Sequence, residues 1–218
     1  MRFGAGRAWH GGVHPALLVA VLAGCGAGDG EERDGAKVPA AKGTATSSAA
    51  ASAPASGPAA VSGGTLGGAG SACELPVTFE LAGKWTAEAV EVPLEQGPVA
   101  LVCEVDAKPA GSIGFLRVWT GEPGEAGARE VLEGFLAAQG DAGEEEYGAF
   151  TADGLSGAEV AYRYTSEFLD GPNTEHALAV TTPDGPVVVH LGGLDDAEHR
   201  DMLPAYELAR RTLRGTGG

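Results

Sequence analysis

The chain is poor in sulfur, in aromatic rings and in positive charge. It holds three cysteines and two methionines, aromatics make up 6% of its 218 residues, and 14 Lys and Arg stand against 30 Asp and Glu, a formal net charge of −16. Each scarcity excludes something. With so little positive charge the chain has no means of neutralising a phosphate backbone or of docking on anionic headgroups, so nucleic acid is not an expected partner. Long apolar runs are missing too. The most apolar stretch, Pro15 to Gly24, is about half of the roughly 20 residues that a membrane-spanning helix needs.

That short run is informative by its setting. Arg2 and Arg7 precede it, no acidic residue occurs before Cys25, and small residues close it, which is the layout of an export signal. Leu22-Ala23-Gly24-Cys25 resembles the lipobox of bacterial lipoproteins, in which the cysteine sulfur is alkylated with diacylglycerol and the chain is cut just before it. The resemblance implies residues 1–24 as a lipoprotein signal peptide and Cys25 as a lipidated, palmitate-bearing first residue. Two or three acyl chains, at about 0.8 kcal/mol per buried CH₂, hold a protein where one chain is marginal. The expected location is the extracytoplasmic face of the cell membrane, with the lipid on Cys25 as the contact to the bilayer. Arg outnumbers Lys ten to four and Ala and Gly abound, a composition of GC-rich coding.

From Gly26 to Gly70, 35 of 45 residues are Ala, Gly, Ser, Thr or Pro, and no charge falls between Gly43 and Cys73. Such a segment cannot bury enough surface to offset its ordering entropy, so residues 25–70 are expected to form a disordered tether. The composition changes at Ser71. Residues 71–218 hold every Tyr and all but one Trp, with nine Lys and Arg against 26 Asp and Glu, a net of −17. That length is one domain, expected to be monomeric.

Apolar alternation predicts strands over 73–81, 84–92, 99–105, 113–120, 146–150, 158–168, 175–182 and 187–191. Val99, Leu101, Cys103 and Val105 are expected on one face of their strand, and Val160, Tyr162, Tyr164 and Phe168 on one face of theirs. Helical spacing of Ala128, Val131, Leu132, Phe135 and Leu136 predicts a helix over 126–139, and a second runs over 195–213. Pro204 either kinks that helix or starts it. The predicted class is therefore α+β, an antiparallel sheet flanked by helices after the tether.

This order of elements, opened by Val77 and Phe79 and followed by Gly83 and Trp85, resembles the PsbP and Mog1-like α/β/α sandwich, and most of all surface lipoproteins of the LpqN type from actinobacteria. The resemblance spans roughly Cys73 to Arg214 and implies a fold and a surface location without catalytic residues. One residue inserted between Gly83 and Trp85 departs from the usual pairing.

With Cys25 given to the anchor, Cys73 and Cys103 remain, and outside the cytoplasm such a pair is oxidised. A disulfide across neighbouring strands is expected. Among candidate site residues, Asp195 and Glu198 sit three apart before a helical pattern, which predicts reciprocal capping. His199 would be a surface residue of that helix, and His190 would face solvent or a second layer. A metal site built from His190, Asp195, Asp196 and His199 would need a convergence that spacing does not supply. Glu144, Glu145 and Glu146 read as a solvated loop. Gly154-Leu155-Ser156-Gly157-Ala158 lacks the last glycine of a nucleophile elbow and precedes a strand. The expectation is a non-catalytic binding or scaffolding module with no metal or cofactor. Two alternatives stand beside it: an envelope hydrolase or metal-dependent enzyme whose sites would fall among His176, His190 and His199, and a solute-capturing lipoprotein using a cleft between sheet and helices.

Overall fold

In the computed structural model, residues 58–169 and 171–216 are described here; the expected signal peptide, the lipid site at Cys25 and most of the expected tether lie outside them. The described chain forms β1 (Ser62–Leu66), β2 (Val77–Ala82), β3 (Thr86–Ala89), β4 (Glu95–Gln96), β5 (Val99–Asp106), β6 (Phe115–Thr120), α1 (Ala128–Gln139), β7 (Ala142–Ala152), β8 (Leu155–Tyr164), β9 (Asn173–Thr182), β10 (Gly185–Gly192), α2 (Asp196–Thr212) and β11 (Arg214–Gly215). Strands β3-β5-β6-β10-β9-β8-β7, with β4 beside β5, make one antiparallel sheet; β1-β2-β11 make a second, smaller one.

The middle of the large sheet is buried on both faces, and β10 there reads as a continuous apolar run, while the edge strands β3 and β7 are largely exposed. On one face α1 lays Val131, Leu132, Phe135 and Leu136 against Val99, Leu101, Trp119, Val160, Ala177, Ala179 and Val188. On the other, Met202, Tyr206 and Ala209 of α2 join Val77 and Phe79 of β2 over Cys103, Val105, Leu116, Val118, Leu178, Val180, Val187 and Val189. The result is an α/β/α sandwich whose second helical layer is completed by the small sheet. Within this order α2 is capped as its sequence predicts. Asp195 accepts from the amides of Ala197 and Glu198, both at 2.8 Å, while Glu198 reaches back to the amide of Leu194 at 2.7 Å and also accepts from that of Ile113. Pro204 lies inside α2 and does not start it.

Several expectations are corrected. The Gly- and Ala-rich stretch does not stay outside the fold as far as residue 70. Residues 62–66 form β1 through backbone pairing with β2, and Leu66 at the strand's end is buried in the cluster that holds Phe79. Residues Val99 to Val105 do not share one face. A bulge between Leu101 and Cys103 turns Cys103 and Val105 toward α2 while Val99 and Leu101 face α1. Burial on both faces keeps the odd positions apolar across the bulge, so alternation alone cannot reveal it. Strand β8 ends at Tyr164, leaving Phe168 beyond it and 86% exposed. Glu144 to Glu146 are exposed, as expected, but on β7, where a second bulge gives Glu144 a φ of 55°.

Cys73 and Cys103 are joined, with Cα atoms 6.0 Å apart. Cys73 lies in the loop leading to β2, so the bridge ties the small sheet to β5 of the large one and does not link neighbouring strands. Closing a loop of this length contributes about 3.7 kcal/mol in the chain-entropy model. Cys103→Ser is therefore expected to lower the unfolding free energy by about 3 to 4 kcal/mol in urea titrations, with the same loss on reducing the wild type. Equal stability in the reduced and oxidised protein would contradict this role.

Candidate functional site

Helix α1 is shorter than the face it covers. Beyond Gln139 the strands under it turn polar, and the pairing register decides which groups meet. Arg117 of β6 lies directly across from Glu104 of β5 and from His190 of β10, and Glu175 of β9 lies across from Tyr162 of β8. Glu104 and Arg117 pair at 2.8 Å, with the guanidinium carbon 5.0 Å from the Phe115 ring centroid. Deeper in, Oε2 of Glu175 faces three donors: Tyr162 hydroxyl at 2.8 Å, His190 Nε2 at 2.9 Å and Gln139 Nε2 at 3.0 Å. The Tyr162 hydroxyl is also 2.8 Å from Gln139 Oε1. Glu175 and His190 are each 5% exposed.

Burial pushes the Glu175 carboxyl up, but the charge and hydrogen bond of His190, with the bonds from Gln139 and Tyr162, outweigh it and hold the group below its ordinary value. Burial first, and then the Glu175 charge, drive Tyr162 well above the ordinary phenol range. The Glu175 contact places a proton on His190 Nε2; His190 Nδ1 and Trp119 Nε1 are buried without a partner. Over this floor opens a cleft of about 520 Å³, walled by Leu94, Leu101, Trp119 and Ala138 and rimmed by Glu95 and Glu104. A larger hollow of about 710 Å³ lies near Pro58 to Val61, but its charged groups, Lys84, Arg200 and Asp201, stand in solvent, so it has no fixed polar floor.

The opposite face carries a second cluster. His176 and His199 stack with centroids 4.8 Å apart and planes at 17°, and Nδ1 of the first lies 2.8 Å from Nε2 of the second. His199 is 2% exposed, not a surface residue, and its Nδ1 has no partner. Burial, then the neighbouring His176, lower its pKa to about 4; burial likewise lowers that of His176. Asp196 accepts from the amide of Thr174 and from Arg163, which lower its pKa to about 2. Of the residues considered together for a metal, His190 lies on the α1 side of the sheet and His199 on the α2 side, while Asp195 is spent on the helix cap. The four do not converge. His190 faces the α1 layer and not solvent. Sequence reading missed Glu175, Tyr162 and Gln139. The available signal was an acid at the Ala177 and Ala179 parity of a strand with no polar face.

An antiparallel α/β/α sandwich bearing a polar cleft at one end defines the class. The family profile described as uncharacterised lipoprotein matches residues 43–213, and the chain belongs to that family. Its match takes in β1, in accord with a domain that begins ahead of Ser71. No curated protein matches. The chain is similar to the solution structure of cyanobacterial PsbP (CyanoP) from Synechocystis sp. PCC 6803 at 16% identity, over 70% of this chain and 98% of that one, with a TM-score of 0.49.

The stacked histidines set a pH dependence. Folded His199 holds its pKa near 4, whereas the unfolded chain takes up the proton near 6.5, so between these values the unfolded state binds more protons. The stability contribution is complete above pH 6.5 and is lost as the pH falls toward 4. His199→Phe keeps a ring against His176 and is expected to flatten the decline of the urea midpoint across that window. An unchanged slope would show that the fold does not hold His199 neutral.

Proposed function

We propose that the chain is a lipid-anchored, extracytoplasmic binding module of the LpqN type from an actinobacterium, tethered through Cys25 and without catalytic activity. The observation that carries this reading is the Cys73–Cys103 disulfide in a chain of a lipoprotein family, since such bonds persist in oxidising compartments. Residues 1–24 are then the signal peptide, and the segment from Cys25 to the start of β1 spaces the domain from the bilayer.

The occupancy of the polar cluster supports a role without catalysis. Of the His190 nitrogens, Nε2 is committed to Glu175 and Nδ1 is buried, so neither is presented to a substrate proton. Tyr162, raised far above neutral pH, stays protonated. The groups form a fixed polar floor. Of the alternatives, solute capture is the one that the cleft above this floor favours.

Cys25→Ala is expected to abolish labelling by a clickable fatty acid and to move the protein from the membrane fraction to the soluble one. Full membrane retention of the unlabelled variant would end the anchor reading.

A further inference from the structure

The floor of the cleft holds an acceptor with nothing to accept from. All three donors at Glu175 converge on Oε2; among the described residues none donates to Oε1, and the residue, though only 5% exposed, lines the cleft, so that this oxygen is reachable from it. On the side away from the cleft Oε1 is closely packed: a Cβ at Gly192 would stand 3.3 Å from it and 3.2 Å from Cε1 of His190, tighter than ordinary contact, so the open approach is from the cleft. An ionised carboxylate oxygen that the protein leaves unbonded on a cleft floor accepts from water or from a donor that displaces it.

We propose that the cleft takes an alkylammonium group, whose nitrogen donates to Oε1 of Glu175 and whose methylene chain lies between Leu94, Leu101 and Ala138. Three further observations support it. Leu94, Leu101, Trp119 and Ala138 set an apolar strip among the polar lining, which suits a methylene stem with charged ends. The rim carries Glu95 and Glu104, and Arg117, the one guanidinium there, is already held by Glu104 and lies over Phe115, so carboxylates exceed cations. The field of a domain with net charge −17 attracts cations and repels anions. A second ammonium at the far end of the stem would reach the rim acids. The chemistry is shared by free diamines and by lysine side chains of peptides. The inference rests on the binding-module reading and names what the module binds.

The test is isothermal titration calorimetry of the full chain in detergent micelles with putrescine, and separately with N-acetyl-lysine amide. Saturable 1:1 binding of either is expected; the first alone indicates free amines, the second lysine side chains. Ala138→Phe, at an exposed helix position on the cleft wall, should abolish it, and Glu95→Gln should weaken it several-fold. Glu175→Gln should cost about tenfold or more. Should that variant fail to fold, the two surface variants decide. Failure of both probes to bind would overturn the proposal, as would equal binding by wild type and Ala138→Phe, which would mark loose attraction to an acidic surface. Neither result touches the anchor or the disulfide, so the ligand class can fail while the lipid-anchored module stands.

Discussion

A sheet covered on both faces cannot hold an unpaired charge, and β9 and β10 carry Glu175, His176 and His190 into such a sheet. Everything around the candidate site follows from satisfying them. Leaving one partner of a buried ionic pair without the other costs about 3 to 5 kcal/mol, enough to consume a large part of a domain's stability. The cross-strand register supplies the partners: Tyr162 lies opposite Glu175, Glu104 lies opposite Arg117, and His190 of β10 reaches Glu175 of the neighbouring strand at 2.9 Å. A slip of β8 by one residue would turn Tyr162 to the α2 face and leave Glu175 without its phenol. The polar cluster is thus a device of register as much as a binding floor.

The cleft has an equally simple origin. Helix α1 has 12 residues and spans about 18 Å, whereas a ten-residue strand such as β9 extends about 33 Å. One helix cannot cover that face. Under the helix the strands present Val99, Trp119, Val160 and Val188; past its end they present Glu104, Arg117, Glu175 and His190. Gln139, the last residue of α1, closes the boundary by bonding into the cluster. On the opposite face α2 is longer and is joined by β2, and there His176 and His199 are stacked against each other.

Much of the architecture was legible because its signals are local. Alternation located the long strands, the stripe from Val131 to Leu136 located α1, and Asp195 with Glu198 located the start of α2. What escaped depends on long-range partners. Strand β1 is written in Ser, Gly and Thr, and only its pairing to β2 makes it a strand. The bulge at Leu101 and Cys103 is silent in a sheet whose two faces are both apolar. His199 looks like a helix-surface residue until His176 is found beneath it. Glu175 was visible as an acid on a strand without a polar side, yet nothing in the sequence says that Tyr162, His190 and Gln139 meet there.

The central claim is that the fold keeps Glu175 buried and ionised through its three donors. Carbon-detected NMR of the full chain, following the Glu175 side-chain carboxyl through an acid titration, tests it directly. The account predicts a midpoint below the ordinary value of 4.5, moving upward in Tyr162→Phe as one donor is lost. A midpoint above 4.5 in the wild type would mean that burial wins over the donors, and the polar floor described here would not exist at neutral pH as a charged acceptor.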